Sequence, residues 1–374
     1  MIINQSVTSK EADMRLKSLG LAAVAIIVGF FLVTVSPVYA GEDLKLGAGL
    51  IPRPGSPKVP AGKYKKAPPW RIGFSLPGVG NSWIVQMMEE TKHEVSKHKE
   101  IGEFIIVDAE WKPAKQVADL EDLLTKKPDL IIVAPVTPTS GAAAIDKIAA
   151  RGIPVVISGM SAGTDAYAVN FITGGEPFGR VGGEFLVKAL NGKGTVWMFR
   201  GPPGFAEDES RYQGAVKAFK GTDIKIGAEV HGMWGYAKAK QLCENLVLSG
   251  KPVDGIWFSG AEMTKGCLDV FKEFKKPLVP MTGEGNNGFL RVWKETGVKS
   301  IGAVFPATMG EAQIRTAVAL LKGKEMYRDY YSVAEPITVK NIDAYYRPDL
   351  NDNYWVPSGL PEAKLQKLYG KKRK

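Results

Sequence analysis

The chain of 374 residues contains little cysteine and little histidine. Its two cysteines, Cys243 and Cys267, are too few for a four-cysteine zinc cluster or a disulfide framework, and three histidines do not suggest a histidine-rich metal site. We therefore expect no metal ion. The two cysteines either pair with each other or remain buried thiols, because their spacing alone does not fix the distance between them.

Charged side chains are absent from residues 19–35, LGLAAVAIIVGFFLVTV, and basic residues precede this run. In Val38-Tyr39-Ala40, small or medium-sized side chains stand at the two positions that a signal peptidase recognises before its cleavage site. The pattern predicts a cleavable signal peptide over residues 1–40, with Gly41 as the first residue after export. A membrane anchor is the alternative, although 17 residues are at the lower edge of a bilayer span. Met14 is a more usual start for such a leader than the first residue.

The formal net charge of +10 raises the question of a nucleic-acid partner. Removing the leader lowers the charge to +9, and the run from Lys371 to Lys374 carries four of the basic groups. A solvated basic tail accounts for this run, and an exported chain does not meet a genome. We therefore expect no nucleic-acid partner.

Proline is concentrated in residues 52–69, among glycine and lysine. This composition builds neither a helix nor a central strand, so residues 41–69 are predicted to form an extended tether. From Trp70 onwards, β-rich apolar runs alternate with stretches of helical periodicity, which predicts βα units around parallel sheets. The alternation restarts after residue 171, and two runs of similar length predict two similar doubly wound α/β domains.

Two short motifs invite an enzyme interpretation. Residues 159–163, GMSAG, match the G-x-S-x-G nucleophile elbow, but TDAYAVNFI follows with β character where a hydrolase requires a helix. His231 lies downstream, and nothing local supports it as a base. Residues 283–288, GEGNNG, match G-x-G-x-x-G, yet the acidic residue that a dinucleotide site requires after the next strand is absent. We expect no catalysis and no cofactor, with an exported serine hydrolase using Ser161 as an alternative.

The loops after the strands concentrate tryptophan, asparagine, glutamate and arginine. In parallel α/β sheets these loops form the ligand crevice, and two such domains can face each other across it. Indole rings suit the C–H face of a polyhydroxylated ligand, while amides, carboxylates and a guanidinium suit its hydroxyl groups. The candidate ligand-binding residues are Asn81, Trp83, Trp111, Glu209, Arg211, Trp234, Glu262, Glu284 and Asn286.

Several of these residues have a plain structural alternative. Asn81 can cap the helix that follows it, and it can do so while contacting a ligand. Trp83 and Trp234 can be core aromatics, and Arg211 can form an exposed ion pair on its helix.

The order of elements and several local motifs resemble the periplasmic sugar-binding proteins of ABC importers, of the ribose and galactose type. GFSLPGVGNSWIVQMMEE is similar to the first strand, ligand loop and helix of that family, and FGRVGGEFLVKAL with ESRYQGAVKAF is similar to the opening of its second domain. The resemblance implies a type I periplasmic binding fold, sugar contacts at Asn81 and Trp83, and a second stacking aromatic at Trp234. It also implies a monomeric, non-catalytic receptor in the periplasm that delivers a sugar or polyol to the permease of an ABC importer.

With this resemblance, we expect an N-terminal lobe of residues 70–171 plus 305–334 and a C-terminal lobe of residues 172–304 plus 335–374. The segment VFPATMGEAQIRTAVALLKG is similar to the family's return into the first domain. The expected hinge has three crossings, near residues 171–174, 303–306 and 333–338. The last 35 residues are rich in tyrosine and tryptophan and are predicted to wrap back onto a domain.

The chain departs from the ribose-binding pattern at several positions. Gly159-Met160 replaces an Asp-Arg pair, Glu209 stands where a ligand arginine falls, Gly260 replaces an asparagine, and Val304 replaces a glutamine. Each lost hydrogen bond to a buried hydroxyl costs about 1–3 kcal/mol, so we expect a ligand other than ribose. A receptor that presents its ligand to a chemoreceptor or sensor kinase has the same pocket and remains an alternative.

Overall fold

The computed structural model describes residues 45–159, 162–172, 174–332 and 335–371. The predicted signal peptide, Ser161 and the last three basic residues of the chain lie outside these ranges. Among the helices that lie within them, none is both long enough and apolar enough to cross a membrane.

Short strands alternate with helices along most of the described chain. The strands are β1 Leu50–Pro52, β2 Lys58–Val59, β3 Trp70–Leu76, β4 Ile101–Asp108, β5 Leu130–Val133, β6 Val155–Ser158, β7 Val169–Ile172, β8 Lys193–Arg200, β9 Asp223–His231, β10 Gly255–Phe258, β11 Met281–Glu284, β12 Ser300–Ala303, β13 Met326–Tyr327 and β14 Asp329–Ser332. The helices are α1 Ser82–Ser96, α2 Pro113–Thr125, α3 Ala142–Ala150, α4 Gly175–Ala189, α5 Ala206–Phe219, α6 Tyr236–Leu248, α7 Ala261–Glu273, α8 Asn287–Thr296, α9 Met309–Leu321, α10 Ile342–Tyr345 and α11 Glu362–Tyr369.

The strands build two main sheets with the same internal order. The first sheet has the order β1-β14-β7-β6-β5-β3-β4, and the second has the order β12-β11-β10-β8-β9. In each, the strand that begins the βα series lies between its second and third strands, which is a doubly wound arrangement. All strand pairs in these two sheets are parallel except that of β1 with β14. The predicted fold class is confirmed. We call the two halves the first lobe and the second lobe.

The central strands are apolar along their whole length because both faces of each sheet are covered. β5, LIIV, is buried at every position, and so is β10, GIWF. Separate apolar clusters lie on the two faces of the first sheet and on the two faces of the second. Since burial of apolar surface contributes roughly 25 cal/mol per Å², these runs provide the main stabilisation of each lobe.

The described segments of the chain alternate between the lobes, so the chain passes from one lobe to the other three times. It leaves the first sheet after β7 and enters the second lobe with α4. It returns between β12 and α9, which packs against α1. After β14 it passes to the second lobe again, where Ile337 pairs with Gly302 in β12. β7 extends through Ile172, so the first crossing begins one residue later than the predicted lobe boundary.

The proline-rich segment is extended but is not a free tether. β1 pairs with β14, and β2 pairs with β13. Leu46 and Val59 join the core of the first lobe with 2% and 6% of their surface exposed. The tether prediction is therefore wrong over residues 45–69. These prolines lie in turns and at edge pairings, where the missing N–H is tolerated.

The C-terminal segment packs on the second lobe and also reaches the first. Tyr354, Trp355 and Tyr369 lie in the same apolar cluster as α8. The backbone N–H of Trp355 donates to Gln86 Oε1 in α1, and Gln86 Nε2 donates back to the carbonyl of Trp355, both at 2.8 Å. We call residues 354–359 the strap, because they connect the second lobe to α1.

Glu90 anchors the other end of the strap. Its carboxylate accepts from Ser358 Oγ at 2.5 Å and from the backbone N–H of Gly359 at 3.2 Å. Burial raises the pKa of Glu90 to about 7, the hydrogen bond from Ser358 opposes the rise, and the nearby charge of Glu311 adds to it. The folded protein therefore binds more protons than the unfolded chain between about pH 4.5 and pH 7.

The stability of the protein is expected to fall as the pH rises through this window, and Glu90→Gln should reduce that fall by about 3 kcal/mol. Urea unfolding at several pH values between about 5 and 8 measures the effect. The matched control is Glu89→Gln, because salt bridges to Lys92 and Lys364 help to hold the pKa of Glu89 below its usual value. If the free energy of unfolding changes with pH to the same extent in wild type and in Glu90→Gln, Glu90 is not the group that titrates in this window.

Cys243 in α6 and Cys267 in α7 form a disulfide. Their Cα atoms are 5.4 Å apart, and both side chains are fully buried. The bond joins two neighbouring helices that pack on one face of the second sheet. Of the two possibilities that the sequence left open, the structure has the paired one.

Replacing both cysteines by alanine is expected to lower the free energy of unfolding by about 3 kcal/mol, since a cross-link over a loop of this length restricts the unfolded chain to that extent. Urea unfolding of the double variant and of the oxidised wild type measures the difference. A reductant should destabilise only the wild type. Identical unfolding curves for the oxidised wild type and the variant would refute the expectation.

Candidate functional site

A cavity of about 100 Å³ lies between the two lobes. Its walls come from loops at the carboxyl ends of strands in both sheets, where doubly wound folds place their ligand crevice. Seven of the nine candidate residues line it: Asn81, Trp83, Trp111, Arg211, Trp234, Glu262 and Glu284. The size of the cavity restricts an occupant to a small molecule.

Trp111 and Trp234 occupy equivalent turns in the two lobes. Trp111 follows β4 and Trp234 follows β9, which are the corresponding strands of the two sheets. Each is the second of two residues with positive φ, at 52° and 61° for Glu110 and Trp111 and at 59° and 55° for Met233 and Trp234. Such backbone costs about 1–3 kcal/mol per residue outside glycine, and it concentrates at functional sites. Here it aims one indole from each lobe into the cavity.

A glycine of the neighbouring loop makes room for each of these indoles. A Cβ atom at Gly78 would lie 2.4 Å from the Trp111 ring, and one at Gly201 would lie 2.4 Å from the Trp234 ring. The ring of Phe205 meets both indoles edge-on, with 5.3 Å between ring centroids in each case. The three rings therefore form a continuous aromatic row that spans the two lobes.

A second aromatic wall is built at the hinge. Trp83 stacks on Phe305 with ring centroids 4.7 Å apart and 10° between the ring planes, and its Nε1 donates to the carbonyl of Phe305 at 2.7 Å. Trp355 of the strap also lines the cavity, and its Nε1 donates to Ser82 Oγ at 2.6 Å. Asn81 lines the cavity and caps α1, since its side chain accepts from the N–H of Ile84 at 3.0 Å.

Arg211 is fixed by groups of the protein itself. Its Nε donates to Glu207 Oε1 at 2.9 Å, and its Nη1 donates to the carbonyl of Ser259 at 2.6 Å. Its guanidinium carbon lies 3.8 Å from the ring centroid of Phe178 and 5.2 Å from that of Phe305. Burial raises the pKa of Glu207, and Arg211 opposes the rise. The exposed ion pair, which was the structural alternative for Arg211, is therefore not present: the pair with Glu207 is buried, and Arg211 lines the cavity.

Glu262 connects the lobes through its carboxylate. Its Oε1 accepts from the backbone N–H of Ser82 at 3.1 Å and from Ser82 Oγ. Ser82 begins α1, so the carboxylate lies where the unpaired N–H groups and the helix dipole favour negative charge. Both bonds use the same oxygen, and among the described residues no hydrogen bond reaches Oε2, which is therefore available to a ligand.

Glu284 is a buried carboxylate of the cavity that accepts a hydrogen bond from the backbone N–H of Ala261. Only 3% of its surface is exposed, and burial raises its pKa to about 7, with Arg211 opposing and Glu207 reinforcing the rise. Arg211 Nη1 is 3.8 Å from Glu284 Oε2, beyond hydrogen-bond distance.

Glu209 and Asn286 do not line the cavity. Glu209 bonds to Arg200 and Gln213 on the outer face of α5, because it lies about 200° around the helix from Glu207 and on the side away from Arg211. Asn286 is the cap of α8, where its side chain accepts from the N–H of Phe289 at 3.0 Å.

The cavity also contains functional candidates that the sequence analysis did not single out. Glu207 could have been found, since it stands four residues before Arg211 on one helical face. Phe205 lies in the loop between β8 and α5, at the carboxyl end of a strand, where ligand residues are expected. Phe305 and Trp355 had no local signal, because the hinge and the strap bring them to the cavity through long-range packing.

A family model described as periplasmic binding protein domain matches residues 72–325. The chain belongs to this family. The ribose import binding protein RbsB of Bacillus subtilis (strain 168) is 22% identical over 257 residues, which cover 69% of this chain and 83% of that protein. The resemblance read from the sequence motifs is thereby confirmed.

Solved structures of periplasmic binding proteins share the fold. An ABC transporter solute-binding protein from Bacillus halodurans C-125 with bound myo-inositol has a TM-score of 0.67 and 22% identity, and the match covers 75% of this chain and 98% of that one. The fructose-binding periplasmic domain of a hybrid two-component system has a TM-score of 0.65 and 19% identity, covering 74% and 99% respectively.

In this periplasmic binding protein, Arg211→Met is expected to lower the free energy of unfolding by about 3–5 kcal/mol, because it leaves the buried Glu207 without its cation. Adding Glu207→Gln should recover part of the loss. Urea unfolding measures both variants. Arg180→Met in α4 is the control, since Arg180 forms only exposed ion pairs with Glu176 and Glu184 among the described contacts. If Arg211→Met lowers the free energy of unfolding no more than Arg180→Met does, the buried pair of Arg211 and Glu207 does not stabilise the fold.

Proposed function

We propose that the protein is an exported, non-catalytic receptor that binds a small polyhydroxylated solute, a sugar or polyol, between its lobes and delivers it to the permease of an ABC importer. The leader over residues 1–40 directs it to the periplasm, where it acts as a monomer without a cofactor. The ligand differs from ribose, because the polar groups expected around ribose are replaced at several positions of the chain.

The observation that supports this proposal is the cavity between the lobes. Rings from both lobes, Trp111 and Trp234, face it from equivalent turns, and carboxylates with a guanidinium lie among them. Flat aromatic rings suit the C–H faces of a sugar or polyol, and the carboxylates and the guanidinium suit its hydroxyl groups. A ligand that touches both lobes favours the closed form, which is the form that a permease can distinguish from the open one.

A thermal-shift screen of pentoses, hexoses and inositols on the exported protein tests the proposal. A ligand at 100 times its Kd stabilises the folded state by about 2.7 kcal/mol and raises the unfolding midpoint. Trp111→Ala and Trp234→Ala should each weaken binding about tenfold or more, since each removes a stacking surface from one lobe.

Glu209→Ala is the matched control and should keep full affinity, because Glu209 faces away from the cavity. If no small solute shifts the midpoint, or if both tryptophan variants bind like wild type, this site is not the receptor site.

Two other functions predict different outcomes. A receptor for a sensor kinase has the same cavity, and a fructose-binding domain of a two-component system has the same fold. Neighbouring genes for a permease and an ATPase favour import over sensing. An exported hydrolase using Ser161, which lies outside the described residues, predicts ester turnover that Ser161→Ala abolishes.

A further inference from the structure

The charges that line the cavity are unbalanced. Its ionisable lining residues are three carboxylates, Glu207, Glu262 and Glu284, and one guanidinium, that of Arg211. All four belong to the second lobe. Arg211 bonds to Glu207 and to the carbonyl of Ser259, and its Nη1 lies 3.8 Å from Glu284 Oε2, so one positive charge is shared by two of the three carboxylates. Two carboxylates therefore face the cavity without a cation within hydrogen-bond distance in the described part of the chain.

Six of the fifteen other lining residues of the cavity are aromatic. Rings are contributed by both lobes, the hinge and the strap, namely Trp83, Trp111, Phe205, Trp234, Phe305 and Trp355. The faces of aromatic rings attract cations, and the attraction is strongest where water is excluded. Arg211 illustrates this preference, since its guanidinium already lies over the rings of Phe178 and Phe305.

We infer that the ligand of this cavity carries a positive charge, as an ammonium group on a small solute, which lies between the aromatic rings with Glu284 and Glu262 as its counter-ions. This inference rests on the proposed function and narrows its ligand class from neutral sugars and polyols to cationic ones, such as amino sugars or hydroxylated quaternary amines. Glu262 contributes its free Oε2, and Glu284 contributes a buried carboxylate.

The ionisation of Glu284 gives a cationic ligand a pH dependence of defined sign. The charged groups that face Glu284 are Arg211 and Glu207 from α5 and Glu262 from α7. A bound cation favours the ionised carboxylate, so affinity should rise from about pH 6 to about pH 8. A hydroxyl group of a neutral polyol can accept from the protonated carboxyl group or donate to the carboxylate, so the affinity of a polyol can change with pH in either direction. Affinity that falls as the pH rises therefore excludes a cation, and the comparison of charged with neutral probes distinguishes the two ligand classes.

Two matched pairs of probes test the charge directly, with tryptophan fluorescence of the exported protein as the readout. Choline is compared with dimethylbutanol, its uncharged carbon isostere, and glucosamine is compared with glucose. We expect a charged member to bind about tenfold or more tightly than its neutral partner. The choline titration is repeated from about pH 6 to about pH 8, because its charge does not change in that range.

Variants locate the effect within the cavity. Glu284→Gln should remove most of the preference for the charged probe and its pH dependence. Glu262→Gln, at the less buried position, should reduce the preference and provides an independent test if the first variant folds poorly. Glu209→Gln, on the outer face of α5, should leave the preference unchanged.

The inference is overturned if neutral partners bind as tightly as charged ones, if affinity falls as the pH rises, or if no charged probe binds. If neutral sugars bind to wild type and this binding is lost in Trp234→Ala, the ligand does not need a positive charge. The proposed receptor function is then still supported. If no charged or neutral probe binds and no screened sugar binds, both the charged-ligand inference and the proposed receptor function are wrong.

Discussion

The buried guanidinium of Arg211 is the point on which the site depends. It joins α5 to the loop after β10 through the carbonyl of Ser259, and its carbon lies over rings of α4 and the hinge. The carboxylate of Glu207 accepts a hydrogen bond from this guanidinium, and without Arg211 the buried charge of Glu207 would lose its cation. The pair thus fixes the inner wall of the cavity before any ligand arrives, so the rings and the other carboxylates keep a defined geometry around it.

The two lobes repeat one backbone plan but not one chemistry. The turns that hold Trp111 and Trp234 are equivalent, and each rests on a glycine of the loop before it. Among the described residues, however, all ionisable lining residues come from the second lobe, whereas the first lobe contributes rings, apolar side chains and the neutral polar groups of Asn81 and Ser158. The charged part of the site therefore stays together on one lobe, and the other lobe covers it.

The fold could be predicted from the sequence because its signals are local. Apolar runs such as LIIV and the helical stretches between them fix the βα units, and the restart after residue 171 fixes the number of lobes. The predicted turn residues Trp111 and Trp234 reached the cavity for the same reason, since a loop at the carboxyl end of a strand has a defined place in the fold. Glu209 was chosen because it stands where the family's ligand arginine falls. On α5 it lies about 200° around the helix from Glu207, so its side chain is on the face away from the cavity.

What the sequence did not predict depends on contacts between distant segments. Nothing near Trp355 shows that it reaches α1, and proline-rich residues with little periodicity conceal the pairing of β1 with β14. The disulfide is a similar case. Two cysteines on consecutive helices can pair or remain thiols, and the packing of the helices determines whether they are close enough to pair.

The strap gives the two lobes a connection besides the three hinge crossings. It is packed in the core of the second lobe while Gln86 and Glu90 of α1 hold its backbone and Ser358. Separation of the lobes consequently has two routes. In the first, the strap detaches from α1, and the polar groups of Gln86 and Glu90 become exposed to water. In the second, the strap separates from the second lobe and stays bound to α1. In both routes the opening of the cleft is coupled to a local rearrangement of the C-terminal segment, so the motion differs from a free rotation about the hinge.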